Sequence, residues 1–295
     1  MVLKELAVPA QQLWSDDSST MDLDPLVPAT ASLVEQLVAL LSALLATLEK
    51  PIAQQPVYLL LPEAMEDESL LSTFTRQIRT LYPELLAHKD SRAFPYGACS
   101  ALLALKTVQH SWQKDPALMP WMIAIDSPLQ QFQLWPDRLQ SLPENHRPVG
   151  VTEGAVAVQW SAQPAGLSCR FNETELTRKD TAEDAGLQAL LLQIAQQLDM
   201  PLATIYLPDN GSTLMTDAWL SACGQLHPWV TAETDYELLA YHTGELGSSG
   251  GLYRLLHLYL AYQNQARYGL TLQCEQGQLG FRSAAVFHWQ STTAT

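Results

Sequence analysis

The chain has 295 residues, 47% of them hydrophobic and 16% charged, and its 31 acidic against 16 basic side chains give a formal net charge of −15. Neutralising phosphates takes a basic face, which this balance does not supply, so nucleic acid and anionic membrane surfaces are excluded as partners. A chain of this length buries roughly 75% of its unfolded surface and needs no disulfide or metal to fold.

Four cysteines, Cys99, Cys169, Cys223 and Cys274, lie far apart, with no C-x-x-C pair and no His/Cys cluster at metal spacing. They read as reduced thiols in a cytoplasmic protein without a metal or other cofactor. The first twenty residues hold one lysine, Lys4, and no unbroken apolar core, so they do not read as a signal peptide. Leu33 to Leu48 is the most apolar run, but Glu35, Gln36 and Ser42 interrupt it and it is short for a membrane span. It reads as a buried helix.

In chain order, residues 9–28 are rich in Pro, Ser and Asp and predict a loop. Thr30 and Ser32 are candidate N-caps for a helix that Pro51 closes. The apolar run Val57–Leu61, bounded by Pro56 and Pro62, suits a strand covered on both faces. A helix over 66–82, an apolar helix over 98–113 and a buried strand over 121–125 follow. Strands around 151–160 and 166–171 close the first half. The second half repeats the order: a helix over 181–198, a strand over 203–207, helices over 215–226 and 249–264, then strands over 269–275 and 280–290. Two like halves of this kind pack as a pseudodimer. The predicted organisation is an extended lead over 1–29, one half over 30–175 and the other over 176–295, in one compact unit.

The loops that open the two apolar helices carry the candidate chemistry. The first begins at Pro95-Tyr-Gly-Ala-Cys-Ser100. A cysteine at a helix N-terminus has its thiolate favoured by the unpaired N–H groups and the dipole. The competing reading is that Cys99 is a small buried hydrophobe, where free cysteines usually sit. The second loop, Tyr241 to Gly251, has four glycines between Gly244 and Gly251, which demand close packing or a close ligand. Its spacing is not that of a phosphate loop. His227-Pro-Trp229 and Trp219 read as packing, as do Tyr253 and His257 on the last apolar helix, and Glu63 to Glu68 reads as a solvated helix start.

These segments resemble the thiolase-like superfamily, and within it β-ketoacyl-[acyl-carrier-protein] synthases. Gly97-Ala-Cys-Ser-Ala-Leu-Leu-Ala-Leu105 resembles their nucleophile turn, and Glu153-Gly-Ala-Val-Ala-Val158 their G-E-G-A strand. Gly244 to Gly251 resembles their G-H-x-x-G-A-x-G loop, and Gly280-Phe-Arg-Ser-Ala-Ala-Val286 their closing G-F-G-G strand. The resemblance implies an α/β thiolase-like fold, two similar halves in a layered αβαβα sandwich with two central helices. It implies Cys99 as the candidate nucleophile. It also implies dimers through edge strands of the first half.

The departures from that pattern fall on the catalytic groups. Asn210 and Glu245 stand where the resemblance places the two histidines, and Ala240 where it places a lysine. The chain is also much shorter than a typical ketosynthase. Two functions follow. One is a degenerate, non-catalytic scaffold or adaptor that binds a protein partner or a second copy. Shortened ketosynthase-like proteins encoded beside bacterial secretion machinery suggest an effector-loading role of this kind. The other is an acyltransferase or thioester-handling enzyme in which Cys99 accepts an acyl group from acyl carrier protein or acyl-CoA, with Glu245 as base and Asn210 as oxyanion donor. A carboxylate beside the thiol raises its pKa and opposes this. An acidic carrier would want a basic patch, for which Arg76, Arg79, Lys106, Lys114, Arg178 and Lys179 are the candidates.

Overall fold

The computed structural model describes residues 6–12, 31–52, 54–127, 152–176, 185–208, 213–277 and 280–291, with 6–12 and 213–214 described by their backbone alone. The first half runs β1 (Leu6–Gln12), α1 (Leu33–Thr47), β2 (Val57–Leu60), α2 (Glu68–Leu81), β3 (Arg92–Phe94), α3 (Ser100–Lys114), β4 (Trp121–Asp126) and β5 (Thr152–Gln159). The second runs β6 (Gly166–Leu176), α4 (Ala185–Ala195), β7 (Leu202–Tyr206), α5 (Thr213–Ala222), β8 (Asp235–Glu237), α6 (Ser248–Gln263), β9 (Leu270–Gln276) and β10 (Phe281–Gln290). The sheets have the orders β1-β5-β4-β2-β3 and β6-β10-β9-β7-β8, the same order position for position. In each, the second, third and fourth strands run parallel and the fifth runs antiparallel between the first and fourth.

Local chemistry explains the elements. Ser32 caps α1 in a capping box, its Oγ accepting from Glu35 N at 3.3 Å while its own N–H donates to Glu35 Oε2 at 2.7 Å. Asp67 caps α2 by accepting from the N–H groups of Ser69 and Leu70. Strand alternation then assigns the layers. Val57 and Leu59 of β2, with Leu61 just after it, face α1 and α2, while Tyr58 and Leu60 face the opposite core. On β4, Trp121, Ile123 and Ile125 join the outer core, and Met122 and Ala124 the inner one. In the second sheet Leu202, Ile205, Leu272 and Val286 face α4 and α5, while Tyr206, Ala285 and Phe287 face inward. Leu102, Leu105 and Val108 of α3 and Leu252, Leu255 and Tyr259 of α6 fill the space between the sheets. The result is the expected αβαβα sandwich with two central helices.

The edges depart from the sequence reading. β1 lies within the lead expected to be extended and pairs antiparallel with β5. Pro9 lacks an N–H, and the register slips between Val8 and Gln11, so β1 is an edge strand with an irregularity at its proline. Residues 13–30 lie outside the described residues. Gly166–Leu176, expected to close the first half with a boundary at 175/176, pairs with β10 and opens the second sheet. The short edge strands β3 and β8 have no counterpart in the sequence reading. They span three residues each, too few to show a period of two.

The central helices meet where α6 has no side chain. A Cβ on Gly251 would lie 2.3 Å from the carbonyl oxygen of Ala98 and 3.2 Å from the Ala101 Cβ. Replacing a helical glycine by alanine gains about 1 kcal/mol in propensity, but a clash against backbone costs ~1–3 kcal/mol or more. Gly251→Ala is therefore expected to destabilise the fold by a net ~1–2 kcal/mol. Gly224→Ala, where nothing lies within 4 Å of the added carbon, should change stability by no more than ~0.5 kcal/mol. Urea denaturation of the two variants checks the contrast; equal losses would place the helix contact elsewhere.

Candidate functional site

The turn from β3 into α3 is built for a sharp bend. Gly97 adopts φ +55°, and Gly97–Cys99 forms a short 3-10 turn that runs into α3. The Ser100 hydroxyl donates to Phe94 O at 2.7 Å and accepts from Tyr96 N at 3.0 Å, cinching the bend. Cys99 stands at the start of α3 and is fully buried. Its Sγ donates to Phe281 O at 3.4 Å, and the buried Ser283 lies close enough to act on the thiol. Its N–H donates back to Tyr96 O at 3.2 Å within the turn. Burial pushes the thiol up to about 12; the Ser283 contact opposes this, and the carboxylates of Glu275 and Glu63 reinforce it. The helix N-terminus favours a thiolate, but desolvation outweighs it.

Beneath this turn lies a buried ion pair. Arg254 of α6 is 3% exposed and Glu275 of β9 is wholly buried. Arg254 Nε donates to Glu275 Oε1 at 2.8 Å, and Nη2 bonds to Oε2. Gln273 Nε2 donates to the same Oε1 at 2.7 Å and to Gly251 O at 2.9 Å. Burial works against the guanidinium charge, yet Glu275 holds Arg254 above its ordinary pKa, and Glu245 and Cys99 add to this. Arg282, also buried, donates through Nη1 to the carbonyls of Gly277 and Phe281. The carboxylate of Glu63 reaches into the gap left by two glycines, since a Cβ on Gly97 would lie 2.9 Å from its Cγ and one on Gly277 2.2 Å from its Oε1. Glu63 is thus half-buried against the cysteine turn, not solvated as its acidic run suggests.

The second loop makes a different connection. Glu245 is half-buried; its Oε1 accepts from Gly247 N at 3.0 Å and its carbonyl accepts from Thr152 N at 2.9 Å. Asp126, at the end of β4, accepts from Ser248 N at 2.6 Å and so caps α6. Gly247, at φ +53°, sits so close that a Cβ there would lie 2.1 Å from Asp126 Oδ2. Burial raises the Asp126 carboxyl to about 7; its bonds from Ser248 pull it down and the charge of Glu245 pushes it further up.

The structure thus surrounds Cys99 with Phe281, Ser283, Glu275, Glu63 and Arg282, and sets Glu245 beside Gly247 and near Asp126. Asn210 lies outside the described residues. His242 is exposed on the one-turn helix Ala240–Thr243. His257 bonds through Nδ1 to Tyr206 OH at 2.9 Å, the packing role expected of it. Among the described residues no group of three His, Cys, Asp or Glu side chains is placed to hold a metal ion, and no helix is long and apolar enough to cross a membrane. The sequence reading missed Glu275, Gln273, Asp126 and Ser283. One signal was available: an arginine among the leucines and tyrosines of Leu252–Leu260 requires a buried partner.

No protein-family profile matches the chain, and no curated protein matches it in sequence. Solved structures do match in fold. The oxazolomycin ketosynthase domain of Streptomyces albus JA3453 superposes with a TM-score of 0.63 at 11% identity, over 89% of this chain and 60% of that one. The ketosynthase from module 6 of the bacillaene synthase of Bacillus subtilis 168 gives 0.61 at 10% identity, over 82% of this chain and 54% of that one. A type II polyketide synthase acyl carrier protein in complex with its ketosynthase bound to the hexaketide gives 0.54 at 12% identity, over 81% and 77%. The chain therefore has the thiolase-like fold of ketosynthases and spans little more than half the length of the two modular domains.

Removing one partner of the buried pair leaves an uncompensated charge. Arg254→Met and Glu275→Leu are each expected to lose ~3–5 kcal/mol, and the double variant to recover most of that loss. A double-mutant cycle in urea measures it; additive losses would show that the two do not act as a pair.

Asp126 links stability to pH. Its folded pKa, about 7, exceeds its unfolded value near 3.9, so the folded state holds more protons between the two. Stability from this group is therefore greatest below pH ~4, falls as pH rises, and is lowest above pH ~7. Asp126→Asn keeps an acceptor for Ser248 N but no charge. Its melting temperature should exceed wild type at pH 8, with the gap closing toward pH 4. Parallel melting curves for the two proteins across that range would contradict this.

Proposed function

We propose that this chain is a non-catalytic ketosynthase-fold scaffold that acts by binding a protein partner. The observation that carries the reading is the state of Cys99: its side chain is buried, its thiol is pushed up to about 12, and the charges that raise it are two carboxylates. Acyl transfer through this thiol requires the thiolate, and no histidine is among its contacts. The N–H that a nucleophile turn would offer to an oxyanion is spent on Tyr96 O. The fold likeness supports a protein partner in a second way: one of the matching structures is itself a ketosynthase held by an acyl carrier protein. Candidate partners are a second ketosynthase-like chain, an acyl carrier protein and a secretion-system effector, and β3 offers an edge at the open side of the first sheet.

The test is intact mass after exposure of wild type and Cys99→Ala to iodoacetamide and to a panel of acyl-thioesters. Folded wild type is expected to gain no acyl group. Alkylation at Cys99 should run on the order of 10³-fold slower than for the same thiol in urea, because a pKa several units above the free value leaves little thiolate. An acyl adduct that disappears in Cys99→Ala would establish the acyltransferase instead. A pull-down with the folded chain then identifies the partner.

A further inference from the structure

The cations of the described residues are unevenly matched. Arg170 pairs with Asp199, Arg254 with Glu275, and Arg267 with Asp235 and Glu237. Lys50, Arg76, Arg79, Lys89, Arg92 and Lys114 have no acidic partner among the described residues, and three of these six, Lys89, Arg92 and Lys114, line one pocket of about 510 Å³. The pocket lies between the loop into β3 and the outward face of α3. That face contributes Lys106, His110 and Lys114, spaced four apart and so stacked in one row. Lys106 is paired with Glu173 at 2.7 Å. The helix C-terminus accounts for Lys114 in the last turn. It does not account for Lys89 and Arg92, which arrive from another element.

Two acids also line the pocket: the Asp90 N–H donates to His88 Nδ1 at 3.2 Å, and Asp115 Oδ1 accepts from Ala117 N at 3.0 Å. The four cations Lys89, Arg92, Lys106 and Lys114 outnumber these two carboxylates. The floor carries hydroxyls: Tyr58 OH and Ser111 Oγ share a hydrogen bond of 3.0 Å. Tyr58 is wholly buried, so no aromatic face is open for a ring to stack on. The volume lies in the range of small-molecule sites. Recognition here is by charge, in a chain whose acidic side chains outnumber its basic ones by 31 to 16.

We propose that this pocket binds a small molecule through a phosphate or diphosphate group, held by Lys89, Arg92 and Lys114. Arg92 offers a planar fork that matches phosphate oxygens, and the lysines supply point charges. This site lies apart from Cys99 and does not depend on whether Cys99 reacts.

The experiment is calorimetric titration of the full chain with pyrophosphate at constant ionic strength, with citrate as a carboxylate control. Wild type is expected to bind pyrophosphate saturably at one site and citrate more weakly. Arg92→Ala and Lys114→Ala should each weaken pyrophosphate about fivefold or more, as expected for charge-assisted contacts. Both side chains are exposed, and far-UV circular dichroism confirms that the variants fold. Arg76→Ala, on the exposed surface of α2, should leave the affinity unchanged. The proposal is overturned if pyrophosphate shows no saturable binding, if citrate binds as tightly, or if Arg92→Ala and Lys114→Ala bind like wild type.

Discussion

The carbonyl oxygen of Ala98 occupies the volume that a side chain on Gly251 would need. That single approach brings the starting turns of the two central helices together, and the chemistry of the interior follows from it. Because α6 begins against the cysteine turn, Arg254, one turn further along, lies under Cys99, and Glu275 and Gln273 on β9 come within reach of it. A charged side chain is costly here in any position without a partner. The inward face of β9 meets the need with Thr271, Gln273 and Glu275, all buried, in place of the apolar residues that face inward from β4 at Met122 and Ala124.

The two halves share a strand order but not this chemistry. Each sheet sends a buried carboxylate toward the start of a central helix, and anions there are favoured by the free N–H groups and the dipole. Asp126 uses that position directly, accepting from Ser248 N at the head of α6. Glu275 does not, because Arg254 takes both of its oxygens. The like folds of the halves come from apolar alternation on strands, which tolerates wide exchange of polar residues at the strand ends. Fold and site therefore diverge without conflict.

Much of this architecture was legible in the residues. Long helices with apolar faces and clear caps, such as Ser32 before Leu33–Thr47, sit where their pattern places them, and so do strand β2 and the apolar run Trp121–Ile125 of β4. The edge strands β1, β3 and β8 were not legible, because three residues show no period and a proline in β1 argues against a strand until its edge position is known. The boundary between halves failed for a related reason. Strand β6 follows β5 closely in sequence, and only its pairing with β10, more than a hundred residues on, assigns it to the second sheet. At the site, Cys99 and the glycine loop stood out, while Glu275 and Ser283 did not, since a polar residue in a strand reads as a solvent face unless a helix is known to cover it.

The balance of charge at Cys99 follows from commitments made elsewhere. A thiolate needs a cation with charge to spare, and two guanidinium groups are close enough to matter. Arg282 lowers the thiol pKa slightly, but it is turned to the carbonyls of Gly277 and Phe281. Arg254 is neutralised by Glu275, whose own charge acts on the sulfur in the opposite sense. Glu63, admitted by the missing side chains of Gly97 and Gly277, adds a second negative charge. Glu245, standing where the resemblance places a histidine, is turned to Gly247 and Asp126. Full burial and two carboxylates favour the neutral thiol, against Ser283, the helix N-terminus and Arg282. Burial is the largest of these influences, and it follows from the place of the cysteine turn at the crossing between the two central helices.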